Sequence, residues 1–249
     1  PNQAKAKAYA TTMDGAYKAF FKLFAPNRSS ESNLEPMDFY VFRNKKEVLG
    51  FIDKFEAEIG LSEKNLEKYR RAGIIRTRKV GHAASPDYVH WQRYCVRGVA
   101  EFLLDDLSGR TAPLGFRLAL GHHLAIQVFG DVVTTQGGFS GGQASWDAQT
   151  KMALAKGKGL EGWKKVVKIC SKKGTLPSIE KFLGYSYERP VESDALGIVL
   201  LEYLQETNPK GLQRFCFEEA SPSYQRRFES SFGAKMKDVE SKFLDWLQS

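Results

Sequence analysis

Asp194-Ala195-Leu196-Gly197-Ile198-Val199-Leu200-Leu201-Glu202-Tyr203-Leu204-Gln205 is the stretch around which the rest of this chain has to fold. Leu196, Ile198, Val199, Leu200, Leu201 and Leu204 are spread around the whole 3.6-residue period, and a helix that is apolar on all sides is a buried one. A buried helix needs others around it. Asn208-Pro209 and Ser221-Pro222 each join a capping side chain to a proline that tolerates the first helical position, so each predicts a helix start. Gly233 predicts a helix stop, and Met236, Val239, Phe243, Trp246 and Leu247 share one face of a closing helix. Roughly the last hundred residues read as all-helical.

The first half is mixed. Tyr9, Met13, Tyr17, Phe20, Phe21 and Phe24 recur at three- and four-residue steps and predict an opening helix that Pro26 ends. The polar run Asn27 to Glu35 reads as a loop, and the aromatic and β-branched run Met37 to Phe42 as a strand. A helix follows from Lys45 to Ile59, with Val48, Phe51, Ile52 and Phe55 inward and Gly60 at its end. Ile74, Ile75, Thr77 and Val80, interleaved with Arg76, Arg78 and Lys79, predict a second strand. Asp87 to Leu107 reads as a long helix and Phe116 to Val128 as a shorter one behind Pro113. Residues 131–146 set Val132 and Val133 among glycines and read as strand or loop. These elements predict an α+β fold: a small N-terminal sheet with helices, then a predominantly helical C-terminal half. Without repeat or linker, residues 1–249 read as one domain with three parts, 1–84, 85–130 and 131–249.

A hydrophobic fraction of 42% supports a substantial core and excludes a disordered chain. No apolar run reaches the roughly 18 residues of a membrane span. The opening Pro1-Asn2-Gln3-Ala4-Lys5 has no signal-peptide core; an earlier removal of a leader would place the chain outside the cytoplasm. Cys95, Cys170 and Cys216 are too dispersed for a disulfide framework and read as small buried hydrophobes. The net charge of +8 is uneven: residues 1–80 carry 16 Lys/Arg against 10 Asp/Glu, and residues 81–150 only 4 against 6. The least charged third is where a core or cleft is expected.

Four histidines, His82, His90, His122 and His123, are the candidate metal ligands, and no HExxH joins them. His122 and His123 diverge by about 100° on a helix, so the expectation is no bound metal. Gly138-Phe139-Ser140-Gly141-Gly142 spells the nucleophile-elbow pattern, but no histidine follows it and no alternating βα pattern surrounds it. Gly157-Lys158-Gly159 lacks the residues of a phosphate loop, and no cofactor is expected. Lys68, Arg70, Arg71, Arg76, Arg78 and Lys79 form one basic segment; Lys151, Lys156, Lys158, Lys164, Lys165, Lys168, Lys172 and Lys173 form a looser second one. Either density suits a polyanion, and on helices the commoner meaning is a solvated face.

One resemblance runs through the order of these elements. The chain resembles a gluzincin (peptidase MA-like) metallopeptidase domain, a zincin-like architecture. Arg97-Gly98-Val99-Ala100-Glu101-Phe102-Leu103-Leu104 stands for the helix that bears HExxH, and Gly115-Phe116-Arg117-Leu118-Ala119-Leu120-Gly121 for the helix that bears the third zinc ligand. Ser108 to Pro113 is the loop between them, and the segment from Asp194-Ala195-Leu196 to the end is similar to the family's closing helices. Under this resemblance Arg97 replaces the first His, Gly98 the general-base Glu, Glu101 the second His and Leu118 the third ligand. Placing His122-His123-Leu124-Ala125-Ile126 on HExxH instead keeps one His and loses the other two groups. Zinc hydrolysis needs three ligands and a base, so the resemblance implies a pseudoenzyme that binds a peptide or protein, with His122, His123 and Arg117 along the old cleft. Arg97 and Glu101, one turn apart, are positioned to form an ion pair there. The other readings are a hydrolase working through Ser140 or a histidine cluster, and a polyanion- or nucleic-acid-binding protein.

Overall fold

The computed structural model describes residues 3–24, 39–60, 62–72, 74–77, 81–84, 91–108, 112–130, 159–184, 192–217 and 223–248. The helices are α1 (Gln3–Phe24), α2 (Lys45–Lys54), α3 (Glu56–Ile59), α4 (Glu63–Ala72), α5 (Trp91–Leu107), α6 (Leu114–Phe129), α7 (Leu160–Lys172), α8 (Ile179–Gly184), α9 (Glu192–Thr207), α10 (Pro209–Phe217), α11 (Tyr224–Phe232) and α12 (Met236–Gln248). The strands are β1 (Phe39–Val41), β2 (Ile74–Thr77) and β3 (Gly81–Ala84).

The expected α+β class is overturned, and with it the zincin-like α+β architecture: the fold is all-α. The strands are three, four and four residues long and pair in the order β1-β3-β2, with β1 parallel and β2 antiparallel to β3. Strands this short make a patch and no layer. Aromatic and β-branched composition gave β1 and β2 their signal, and β3, Gly81–Ala84, was not expected; the apolar area that organises the chain lies on its helices. None of the described buried residues of the main core lies on a strand; Phe39 only packs against its edge.

That core is built around α6 and α9. From Gly115 to Ile126 every residue of α6 except Arg117 is buried, and α9 is buried from Ser193 to Leu201. Both have small residues where a neighbour comes closest. A Cβ on Gly197 would lie 2.5 Å from Ala119 Cβ and 2.8 Å from the Phe182 ring, so the α6–α9 approach depends on that glycine. The contacts run Ala119 to Gly197 and His123 to Glu202, so the two helices are parallel, N-terminus beside N-terminus. Trp163, Val166 and Val167 of α7 and Phe243 of α12 add fully buried side chains to this core. A separate small cluster, Val48, Ile52 and Leu66, holds α2 and α4 with Phe42, Phe51, Phe55 and Tyr69 around it.

Local signals explain most boundaries. Pro113 precedes α6, and Gly130 ends it in the left-handed conformation. Asn208 accepts from the Gly211 N–H at 2.8 Å, which starts α10. Two readings change. The cap of α11 is Ser223, whose hydroxyl accepts from the Arg226 N–H, and not Ser221. The helix expected over 45–59 is broken at Phe55, which leaves the α-region with φ −107° and ψ 15°. The strand or loop expected at 131–146 lies outside the described residues.

Candidate functional site

Two seams flank α6, and each gathers polar groups inside an apolar core. On one side α5 and α6 form an antiparallel hairpin. Near its turn, Arg117 Nη1 donates to both carboxylate oxygens of Asp105, at 2.8 and 3.1 Å. Further along, the stem of Arg97 lies on Gly121: a Cβ there would meet Arg97 Cγ at 2.5 Å and Cα at 3.1 Å. Only glycine lets the two backbones come this close. Leu118, between Arg117 and Gly121 on α6, has a fully buried side chain.

Arg97 Nε donates to Glu101 Oε1 at 2.8 Å. Glu101 is 6% exposed, whereas the Arg97 side chain keeps a quarter of its surface. The carboxylate is thus inside and its counter-charge reaches the rim, an arrangement that limits the desolvation cost of the pair. Gly98 is buried on the same helix. The positions aligned with zinc ligands are therefore on facing helices, and two of them are tied to each other.

On the other side of α6, His123 points at α9. Its Nε2 lies 3.7 Å from Glu202 Oε2, and its Nδ1 is buried without a hydrogen bond. Burial pushes the imidazole pKa down to about 4, against a smaller opposing influence from the Ile198 main chain. The ring is neutral at pH 7. Burial pushes the Glu202 pKa up, Glu206 adds to this by repulsion, and Lys164 works against it. Around this pair Lys164 lies 3.3 Å from Glu161 and 4.7 Å from the centre of the Trp246 ring, and Trp246 Nε1 donates to Glu206 at 2.9 Å.

His122 and His123 are both buried, and the second is committed to α9. They do not gather with the other histidines: His82 pairs through its backbone in β3, and His90 lies outside the described residues. Ser140 also lies outside them. In the first basic segment, Arg70 is enclosed by Glu63 at 2.7 Å, Glu56 at 2.8 Å and Asp53 at 3.2 Å. Hydrogen bonds to Asp53 and Glu63 raise its pKa despite desolvation. Arg71 is exposed, Lys68 and Arg76 are placed by backbone alone, and Arg78 and Lys79 lie outside the described residues. Sequence reasoning missed Glu202; its signal was a lone carboxylate interrupting the apolar run from Leu196 to Leu204.

Among the described residues, no group of three or more His, Cys, Asp or Glu side chains is arranged to hold a metal ion. No helix among them is long and apolar enough to cross a membrane. Cys95, Cys170 and Cys216 are free thiols, all buried. Burial pushes the Cys95 thiol up to about 12, which leaves it protonated and unreactive at neutral pH. Compared with known family models, curated proteins and solved structures, the chain matches none.

Proposed function

We propose that this chain is a non-catalytic helical domain, related in the order of its helices to gluzincin peptidases, that acts by binding a peptide or protein. One observation carries the reading: Arg97 and Glu101 satisfy each other at 2.8 Å on the helix face where the resemblance puts two zinc ligands. A cation would have to compete with a guanidinium already hydrogen-bonded to a buried carboxylate, and Leu118 offers it nothing. Arg117 beside Asp105 and Arg97 at the rim, each a quarter exposed, are the charged groups that this seam presents to a partner.

The test is to load the purified protein with zinc, desalt it and measure metal per chain. Zinc well below one equivalent, together with selection of specific binders from a random-peptide library, is the expected result. Stoichiometric zinc, or peptide cleavage that a chelator abolishes, overturns the reading.

A further inference from the structure

The two basic segments of the chain are not equivalent, and the difference locates a surface. In the first, Arg70 is neutralised by Asp53, Glu56 and Glu63. In the second, α7 buries Trp163, Val166, Val167 and Cys170. Lys165, Lys168 and Lys172 fall within about 60° of arc on its opposite side, along about 10 Å of helix. Lys165 and Lys172 are exposed and Lys168 is half-buried.

The carboxylates around α7 face groups other than the stripe. Glu161, one turn before the stripe, is met by Lys164; Glu202 faces His123, and Glu206 accepts from Trp246. On α12, which also packs against α7, Glu240 accepts from the Ile179 N–H, while Asp238 and Asp245 make no ion pair with the stripe. Among the described residues, none of the three lysines has a carboxylate within ion-pair distance.

We propose that this lysine stripe binds the phosphate backbone of a nucleic-acid duplex, independent of its sequence. Lysine ammonium groups act as point charges that neutralise phosphates, and α7 has no arginine whose fork could read a base edge, which fits binding that ignores sequence. Among the described residues, the exposed large apolar side chains, Tyr17, Tyr40 and Tyr224, all lie on other elements. Trp246, the nearest indole, is covered by Lys164. α7 therefore lacks the stacking platform of a single-strand binder and the apolar wedge of a membrane-inserting helix.

The experiment measures duplex DNA binding by fluorescence anisotropy across a salt series. It compares the wild type with Lys165→Gln/Lys168→Gln/Lys172→Gln and with an equal-charge control, Lys46→Gln/Lys210→Gln/Lys237→Gln, all exposed on other helices. The stripe variant is expected to flatten the slope of log K against log salt by about 2.7, or about 0.9 for each phosphate no longer neutralised. The control keeps the slope. Equal losses in both variants, no loss in either, or binding of anionic phosphatidylserine vesicles without duplex binding each overturns the proposal. Unchanged circular dichroism and melting temperature show that lost binding is not lost folding. Zinc content is independent of this result, so failure here and failure of the non-catalytic reading are separate outcomes.

Discussion

Gly121 and His123 stand two residues apart on one helix and belong to opposite kinds of interior. Towards α5, Gly121 receives the stem of Arg97, and the charge that enters with it is answered by Glu101. Towards α9, His123 is buried without a charge and leaves Nδ1 unsatisfied. The first seam gives its buried carboxylate a cationic partner from the rim. The second avoids a buried charge by leaving the imidazole neutral. Both obey the rule that a buried charge is either paired or removed, and they differ in how they respond to substitution and to pH.

Substitution tests the first seam hardest. Arg97→Met keeps an apolar stem over Gly121 and removes the guanidinium from the buried Glu101 carboxylate, so a loss of about 3 kcal/mol is expected by chemical denaturation. Arg97→Met combined with Glu101→Leu recovers most of it, because a buried ion pair and an apolar pair of similar volume are close in stability. If the single variant loses less than about 1 kcal/mol, the pair behaves as a solvated surface bridge and the contrast collapses.

The two seams were unequally legible in the sequence. Arg97 and Glu101 are four apart on a strongly patterned helix, so their pairing is a local fact that spacing alone predicts. His123 and Glu202 meet only because α6 and α9 pack in parallel, and nothing local in either segment encodes that register. The same division runs through the fold. Apolar periodicity disclosed α1, α6, α9 and α12, whereas α4 has only Leu66 and Tyr69 to mark a face, and no helix was expected there. The α+β expectation failed because β-branched composition reports that a strand is present and says nothing about how much core it covers.

Acid tests the second seam. With a pKa of about 4 in the fold and 6.5 as its ordinary value, His123 binds fewer protons when folded than when unfolded. Stability therefore falls as pH drops from about 6.5 towards 4, by about 3 kcal/mol at the lower end. Glu202, raised by burial, has the opposite sign: it favours the fold in acid and loses that contribution as pH rises through its folded value. The two contributions oppose each other in acid, and removing the histidine separates them. His123→Gln is expected to flatten the stability profile in this window. A profile of the variant as steep as the wild type assigns the acid sensitivity elsewhere.

Closeness of approach can be compared on the two seams directly. Gly197→Ala sets a methyl 2.5 Å from Ala119 Cβ and 2.8 Å from the Phe182 ring, neither of which has a flexible end to move aside. About 2 kcal/mol is expected to be lost. Gly121→Ala meets Arg97 at Cγ, Cβ and Cα, the base of the side chain and the backbone itself, so the two helices must part and a comparable loss of about 2 kcal/mol is expected. Gly121→Ala in the Arg97→Met background separates the steric part from the electrostatic part. If the two effects simply add there, the notch and the ion pair are independent features.

The smallest effect expected belongs to the outer edge of the second seam. Trp246→Phe keeps an aromatic ring against Tyr203 and Phe243 and removes the Nε1 donor that holds Glu206 at 2.9 Å. Losing one hydrogen bond at a half-open site costs about 0.5–1 kcal/mol in the melting experiment. Its second consequence is more informative than its size. Glu206 is a like charge that already raises the Glu202 pKa, and releasing it from the indole frees it to turn into solvent. Glu202 should then titrate lower, by carboxyl-resolved NMR, while His123 keeps its depressed value because burial, and not Glu206, depresses it. A parallel rise in the His123 pKa instead would mean that the imidazole senses the carboxylate charge strongly, and that the second seam is an ion pair in waiting where the first is one already formed.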